Sequence, residues 1–472
     1  MMNIVPGQVR GLGPYEQGIL DDLRNIYFSH YSKNKEKDRY YDGKILLGEV
    51  NLGIALPKNM RGLEIGCAWG AKTVDVLAAR SMFDGFVGTN GESVEDMDRI
   101  VTGNNLIAEY MKACRDELKY GATFCTLSGD PDVGCKIRFH SPQTAAARWD
   151  GEKGRIAYGL AVIDMEHSVE YEWQPRIINL YTDDAIWVLR KEKNIWSAQR
   201  NPHRMGRPLM EPLVWNATSN KPFGRSRIKE PVRRLIQGYV RTIANATIGL
   251  EFATSPQKYL LGVTDDQYDQ VIDNKFKQYV GNILASTTNP DTGEKPTFGQ
   301  LQQGTISPHV EMLRILATQF SAATGLTVTD TGVVNDANPT SSDAILAQSQ
   351  TLIGMAEQLN TGNGDALRNI AQMALAIANN TTVDGLSDDQ RAVIAHFQNP
   401  AMPSVAVTAD AAIKIASARD GFASTDIFLE MIGFDQADIR RIKAQEQRYR
   451  GQTLLLSMTE PDEGVANEDF TE

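Results

Sequence analysis

The string LEIGCAWGAKT, residues 63–73, carries the residue types of a nucleotide-binding turn: Gly66 and Gly70, then Lys72 and Thr73. Two glycines can let a backbone wrap an anion while a lysine and a hydroxyl reach it. The spacing fits neither established pattern. A P-loop needs glycine directly before the lysine; Ala71 stands there, and only three residues separate the glycines. For a dinucleotide or S-adenosylmethionine site, Ala68 replaces the middle glycine and no second strand ending in an acid follows cleanly. An S-adenosylmethionine- or nucleotide-dependent enzyme of the cytoplasm using this Gly-rich segment is therefore the alternative reading. Hydrolytic chemistry has less behind it. HExxH and GxSxG are absent, and His30, His140, His167, His203, His309 and His396 stand singly, so no catalytic residue, metal ligand or cofactor is nominated.

The densest basic stretch is RSRIKEPVRRLIQGYVR, residues 225–241. Arg225, Arg227, Lys229, Arg233, Arg234 and Arg241 there oppose a single acid, Glu230. Such a run serves either as a solvated helix face or as a contact for DNA phosphates or an acidic neighbouring subunit. The whole chain has the opposite sign: Lys plus Arg total 48 against 59 Asp plus Glu, a formal charge of −11. A surface gripping nucleic acid throughout is excluded, and any DNA contact must be local or weak. Six acids and no base fall in residues 457–472, which read as a disordered, solvated tail.

These residues must be positioned by elements that 472 residues supply amply, with room for about three domains. Apolar residues at 42% and charged residues at 23% match a globular protein. No apolar run approaches the ~18 residues of a spanning helix, and residues 1–17 lack the pattern of a secretory signal, so no membrane is expected. Cys67, Cys114, Cys125 and Cys135 contain no CxxC pair and read as reduced, buried thiols.

Helical periodicity over Ser93 to Leu118 predicts one amphipathic helix. Alternation from Ala122 to Trp196 predicts an antiparallel β region whose Trp149, Trp173, Trp187 and Trp196 fill a core. A second helix starts after Ser226, with Pro231 in its first turns and Ile228, Val232, Ile236, Val240 and Leu250 on its apolar stripe. Residues 254–304 gather turn formers and read as a small inserted module. A third helix opens with Ser307 as N-cap and Pro308 at the first position, placing Val310, Leu313 and Phe320 on one face. The loop GLTVTDTGVVNDANPTSSD follows, then a helix capped by Thr340 and Asp343, with a kink or break expected at the glycines of 360–364. Past Pro403 come shorter helices turned at Gly421 and Gly433.

Several strings then align in order with a known family. YYDGKILL (40–47), WGAKTVDVLAARSMFDGF (69–86), YGATF (120–124), PFGRSRI (222–228), SPQKYLLG (255–262) and PTSSDAI (339–345) resemble tailed-bacteriophage portal proteins of the siphophage, head-to-tail connector type. FQNP, TADAAIKIA and LEMIGF extend the similarity to about residue 450.

The resemblance implies an α+β portal fold: a β-rich wing at 1–226, a two-helix stem at 227–254 and 306–324, and a small α/β clip at 255–305. It further implies a tunnel loop at 325–340, a kinked wing helix and return at 341–402, a crown at 403–456 and the acidic tail at 457–472. It implies a non-enzymatic dodecameric ring at one capsid vertex, assembled in the host cytoplasm and carried in the virion. Double-stranded DNA would enter and leave through the ring, held weakly and without sequence preference. Partners would be the terminase large subunit, a head–tail adaptor and the major capsid or scaffolding protein.

The loop at 325–340 has no Lys or Arg, only Asp330 and Asp336 as charges, so it cannot hold DNA by ion pairs. Contact would come sterically from Val328, Val333 and Val334, or by hydrogen bonds from Thr327, Thr329, Thr331, Asn335 and Asn338.

Overall fold

A computed structural model describes residues 5–46, 64–88, 94–167, 173–193, 195–254, 258–261, 293, 297–300, 305–332, 342–401, 405–434 and 436–459. In chain order, the long helix α1 (Pro14–Tyr41) precedes β1 (Ile45–Leu46), β2 (Glu64–Ile65), α2 (Trp69–Ala78) and β3 (Phe83–Val87). Helices α3 (Glu95–Gly103) and α4 (Leu106–Tyr120) lead into β4 (Ala122–Asp130), β5 (Gly134–His140), β6 (Ala145–Asp150) and β7 (Arg155–Glu166). Strands β8 (Gln174–Tyr181), β9 (Ala185–Glu192), β10 (Ile195–Pro202) and β11 (Met210–Val214) complete the β region. Then come α5 (Glu230–Thr254), the paired β12 (Lys258–Leu261) and β13 (Thr297–Gln300), α6 (Ser307–Thr324) and α7 (Ser342–Ala378). The chain continues through α8 (Asp388–Arg391), β14 (Ile394–Phe397), α9 (Val405–Ala418), α10 (Asp426–Ile432) and α11 (Gln436–Thr459). The architecture is mixed α+β.

The chain divides into two units. The first comprises residues 1–34, 75–226 and 349–472. Its alternating segments pair as antiparallel sheets of order β10-β9-β8-β7-β6 and β11-β4-β5. The five-stranded sheet buries Leu160, Ile178, Leu180 and Leu189 against Ile19, Leu20, Leu23 and Tyr27 of α1, which places the i, i+1, i+4 and i+8 residues of that helix on its apolar face. Trp187 and Trp196 pack on this core, as expected of them; Trp173 is half exposed and Trp149 sits edge-on to Phe223. Strand β4 is buried along Ala122–Leu127, and α4, whose Tyr110, Cys114 and Leu118 are buried, lies against it.

The single helix expected over 93–118 is two. Asn105 takes a left-handed φ of 49°, and Asn104 is drawn inward, donating to Ile100 O and Cys135 O (both 2.9 Å) and accepting from Ile137 N (3.0 Å). A side chain that satisfies strand β5 ends the helix there. Of the kink or break expected at 360–364, there is no break: α7 runs as one helix through all 37 residues. Asn363, between the two glycines, is fully buried and makes tertiary hydrogen bonds that hold the helix in place. Its Thr340 cap lies outside the described residues. The C-terminal helices turn where expected, with Gly421 at φ 79° and Gly433 at φ 106°. Helix α11 extends to Thr459, so the first residues assigned to the acidic tail are helical; 460–472 lie outside the described residues.

The second unit comprises residues 35–74 and 227–348. Val232, Ile236, Val240 and Ala244 recur every fourth residue on α5 and are buried; α6 meets that helix with Leu316, Ala317 and Phe320. Gly238 admits the contact, since a Cβ there would lie 3.2 Å from Leu316 Cδ2. Leu250 and Val310, expected on the buried stripes, are 44% and 45% exposed, because each lies toward the helix end remote from this contact. The cap of α6 is shifted by one: Ile306 is the N-cap and makes no side-chain cap bond, and Ser307 already lies in the first turn.

Candidate functional site

Within the enzyme-like segment, residues 64–73 fold as a packing knot. Gly70 lies inside α2, where a Cβ would stand 1.9 Å from the carbonyl oxygen of Tyr40; the glycine is there for close approach of two backbones. Trp69, 3% exposed, stacks on Phe320 (ring centroids 4.6 Å) and tilts against Tyr239 (4.7 Å). Burial pushes the Cys67 thiol up to about 11, so it stays protonated. The backbone that would have to wrap a phosphate is consumed by helix packing, which overturns the enzyme reading of this string. All four cysteines are buried and free.

The first half of the candidate channel segment is a hook closed on itself. Helix α6 ends at Gly325 (φ 73°), and a single 3₁₀ turn, Thr329–Thr331, ends at Gly332 (φ 75°). Between these glycines the polar side chains bond one another. Asp330 Oδ2 accepts from Thr327 N (3.0 Å) and Thr327 Oγ1 (2.8 Å), and Thr331 Oγ1 donates to Val328 O (2.5 Å). Thr327 and Thr329 hydroxyls stand 2.6 Å apart. Each is thus engaged locally in the manner of a Ser/Thr turn. Thr329 is the exposed residue of the 3₁₀ turn; Thr327, Val328, Asp330 and Thr331 are half-buried. Val333, Val334, Asn335, Asp336 and Asn338 lie outside the described residues.

Two donors of the same unit reach this hook. Trp69 Nε1 donates to Thr331 O (3.1 Å), and Arg227 Nη2 donates to Thr324 O (2.7 Å) while its Nε donates to Thr73 O (2.7 Å). Arg227 is 6% exposed, and burial lowers its guanidinium to about 10, still charged at neutral pH. A cation at the last carbonyl of α6 also suits the negative end of that helix dipole.

The basic stretch is therefore not one face. Arg227 is internal. Arg233 pairs with Glu36 and Glu230, Arg234 with Glu230 (2.8 Å), and Arg225, Lys229 and Arg241 are exposed. Counting charges along the chain missed Glu36, which arrives from α1. Sequence reasoning also missed the roles of Trp69, which it quoted as a landmark, and of Arg227, which it counted only as part of a basic run, a solvated face or a contact for phosphates or an acidic neighbour; a charged residue next to the apolar Ile228 gave no sign of its own burial.

Elsewhere, in the first unit, Glu117 is wholly buried. Asn363 Nδ2 donates to Glu117 Oε2 (2.8 Å) and to Tyr110 Oη (2.9 Å), and burial pushes the carboxyl up to about 8. His140 Nε2 lies 2.9 Å from Thr126 Oγ1, and burial lowers it to about 4, so it is neutral. Among the described residues no group of His, Cys, Asp and Glu could hold a metal ion, and no helix is long and apolar enough to cross a membrane.

Comparison with known proteins gives a family. The family described as "Phage portal protein, SPP1 Gp6-like" matches residues 20–452. No curated protein matches the sequence. Solved structures that resemble the chain include a chain of the "Virion of native gene transfer agent (GTA) particle", at 11% identity and TM-score 0.45, covering 85% of this chain and 93% of that one. Another is from the "Neck of empty GTA particle computed with C6 symmetry", at 13% identity and TM-score 0.44, covering 78% and 90%. A third is from the "Neck of native GTA particle computed with C12 symmetry", at 13% and 0.44, covering 78% and 89%.

Proposed function

Since the chain belongs to the SPP1 Gp6-like phage portal family, a family of structural proteins and not of enzymes, we propose that it forms a dodecameric ring at one capsid vertex. Double-stranded DNA passes through this ring on packaging and ejection, and the terminase large subunit and a head–tail adaptor dock on it. The match over residues 20–452 carries the reading. Its physical support is an acidic chain whose candidate channel segment offers no Lys or Arg. A conduit must let phosphates slide, and each fixed ion pair would resist that. The β-sheet region serves as the wing, α5 and α6 as the stem, residues 255–305 as the clip, 325–340 as the tunnel loop and 403–456 as the crown. The exposed bases Arg225 and Lys229 would meet acidic neighbours or DNA weakly.

Two measurements test this. Purified protein should form annular particles many times the 52.1 kDa protomer by electron microscopy and mass measurement; a monomer or dimer sinks the ring. Lysines at both Thr329 and Thr331 should slow or stall DNA packaging in an otherwise assembled particle, because the new cations would hold the passing phosphates. Normal packaging yield with that pair removes the loop assignment and leaves the ring standing.

A further inference from the structure

The hook at residues 325–332 is held by more than its own turn. Its internal hydrogen bonds close it into a unit, but they do not fix where that unit points. Direction comes from outside the hook, at both its ends. At the entry, the Arg227 guanidinium grips the carbonyl of Thr324, the last residue of α6 (2.7 Å), and the carbonyl of Thr73 in α2 (2.7 Å). At the exit, the Trp69 indole N–H grips the carbonyl of Thr331 (3.1 Å). Neither donor can swing freely. Trp69 is wedged between Tyr239 of α5 and Phe320 of α6, and Arg227 is 6% exposed. The hinge positions are equally well marked: Gly325 and Gly332 both have left-handed φ, and a Cβ on Gly332 would meet nothing within 4 Å, so that glycine is there for its conformation.

We propose that Trp69 and Arg227 are positioning residues that latch the Thr324–Thr331 hook onto the α5–α6 pair, making the first half of the channel segment a fixed foot that presents Thr329 outward. The role of that foot toward DNA rests on the portal reading; the latch does not. Without the latch the same residues would be chain hinged at Gly325. Seven residues, 325–331, can span at most about 25 Å when extended, so latching or unlatching decides how far the segment can reach.

Backbone amide hydrogen exchange on the purified full-length protein tests the latch in whatever assembly it adopts. In the unaltered protein the amides of Asp330, Thr331 and Gly332, which donate to Thr327 O, Val328 O and Thr329 O, should be protected to the level of the last turn of α6. Exchange there at the rate of an unstructured loop overturns the proposal with no variant needed. Trp69→Phe keeps a stacking ring and removes only the N–H donor. It should speed exchange at Thr331 and Gly332 by about tenfold, the effect of losing one buried hydrogen bond, with the interior of α5 and α6 unchanged. Arg227→Gln should do the same nearer Thr324, and Arg227→Lys, which keeps the charge and a donor, should restore part of the protection. Unchanged exchange in both Trp69→Phe and Arg227→Gln, or a uniform loss across α5 and α6, refutes a latch, the latter by showing both residues to be plain core. A protein that proves monomeric yet shows the local pattern loses the ring and keeps the latch.

Discussion

Glu117 in one unit of the molecule and Arg227 in the other are both buried ionisable side chains, and the two meet opposite fates. In the sheet-bearing unit Glu117 of α4 is wholly buried beside Asn363 and Tyr110, and desolvation raises it to about 8, so at neutral pH it carries its proton. In the helix-pair unit Arg227 is almost as deeply buried, yet desolvation lowers it only to about 10 and it keeps its charge. The difference follows from intrinsic affinity for the proton: arginine begins so far above neutrality that even a large penalty leaves it a cation, whereas a carboxyl begins close enough for burial to neutralise it. The partners match the outcome. Peptide carbonyls, one of them at a helix C-terminus, suit a fixed cation; an amide side chain can serve either form of a carboxyl, by donating or accepting. One unit thus holds its long helix by a titratable clasp, and the other holds its hook by a permanent one.

Glu117→Gln tests the titratable side and should give the largest effect. The folded-state pKa is raised from 4.5 to about 8, so the folded protein binds this proton more tightly than the unfolded chain does. Stability from this group is full below pH 4.5, declines as pH rises through the interval to 8, and is level above it. At about 1.4 kcal/mol per pH unit the limit is near 5 kcal/mol, and local relaxation should leave about 3 kcal/mol. Glutamine keeps the shape and the bond to Asn363 without titrating. Denaturant unfolding should therefore show the variant at least as stable as the parent at pH 9 and with this slope removed; parallel pH curves for the two proteins would show Glu117 to be ionised. Arg227→Met should cost about 2 kcal/mol by leaving the Thr73 and Thr324 carbonyls without their donor. That loss should be flat between pH 4 and 9, since the arginine is charged throughout in both states. A pH-dependent loss at this position would erase the contrast.

The sheets, the helices α5 and α6 and the C-terminal turns were legible because each rests on a local periodicity or a glycine that only one conformation explains. What escaped depends on distant partners. The amphipathic stripe of 93–118 continues through Asn104 and Asn105, and only the approach of Cys135 and Ile137 shows why the helix stops. The glycines at 362 and 364 signalled a kink or a break, but the helix is unbroken there, and Asn363 between them anchors it to Tyr110 and Glu117, each about 250 positions away. At the candidate site the residue types were readable and their roles were not. Trp69 sits in a string that mimics a nucleotide turn, and Arg227 sits in a basic run. Nothing along the chain tells that both point inward at the same eight-residue hook, because the three pieces come from three separate stretches of sequence.

A third contact, half-buried and intermediate between the two, sharpens the comparison at the smallest scale. His396 of β14 lies between Asp84 of β3 and Glu430 of α10, with Nε2 3.4 Å from Glu430 Oε1 and Nδ1 3.6 Å from Asp84 Oδ2, the latter too long for a hydrogen bond. These two carboxylates raise it from 6.5 to about 9, so it is a cation at neutral pH, like Arg227, but titrates within reach, like Glu117. The sign follows from the raised folded value: its stabilisation is complete below pH 6.5, falls between 6.5 and about 9, and is gone above that. With a side chain 23% exposed, solvent screening should hold the effect to about 1 kcal/mol. His396→Gln should therefore lower stability by that amount at pH 6 and by nothing measurable at pH 9.5. The local signature is exchange protection at Ile394–Phe397, lost in the variant at pH 6 and equal to the parent's at pH 9.5. Equal destabilisation at both pH values would mean that the imidazole acts through packing and not through its charge.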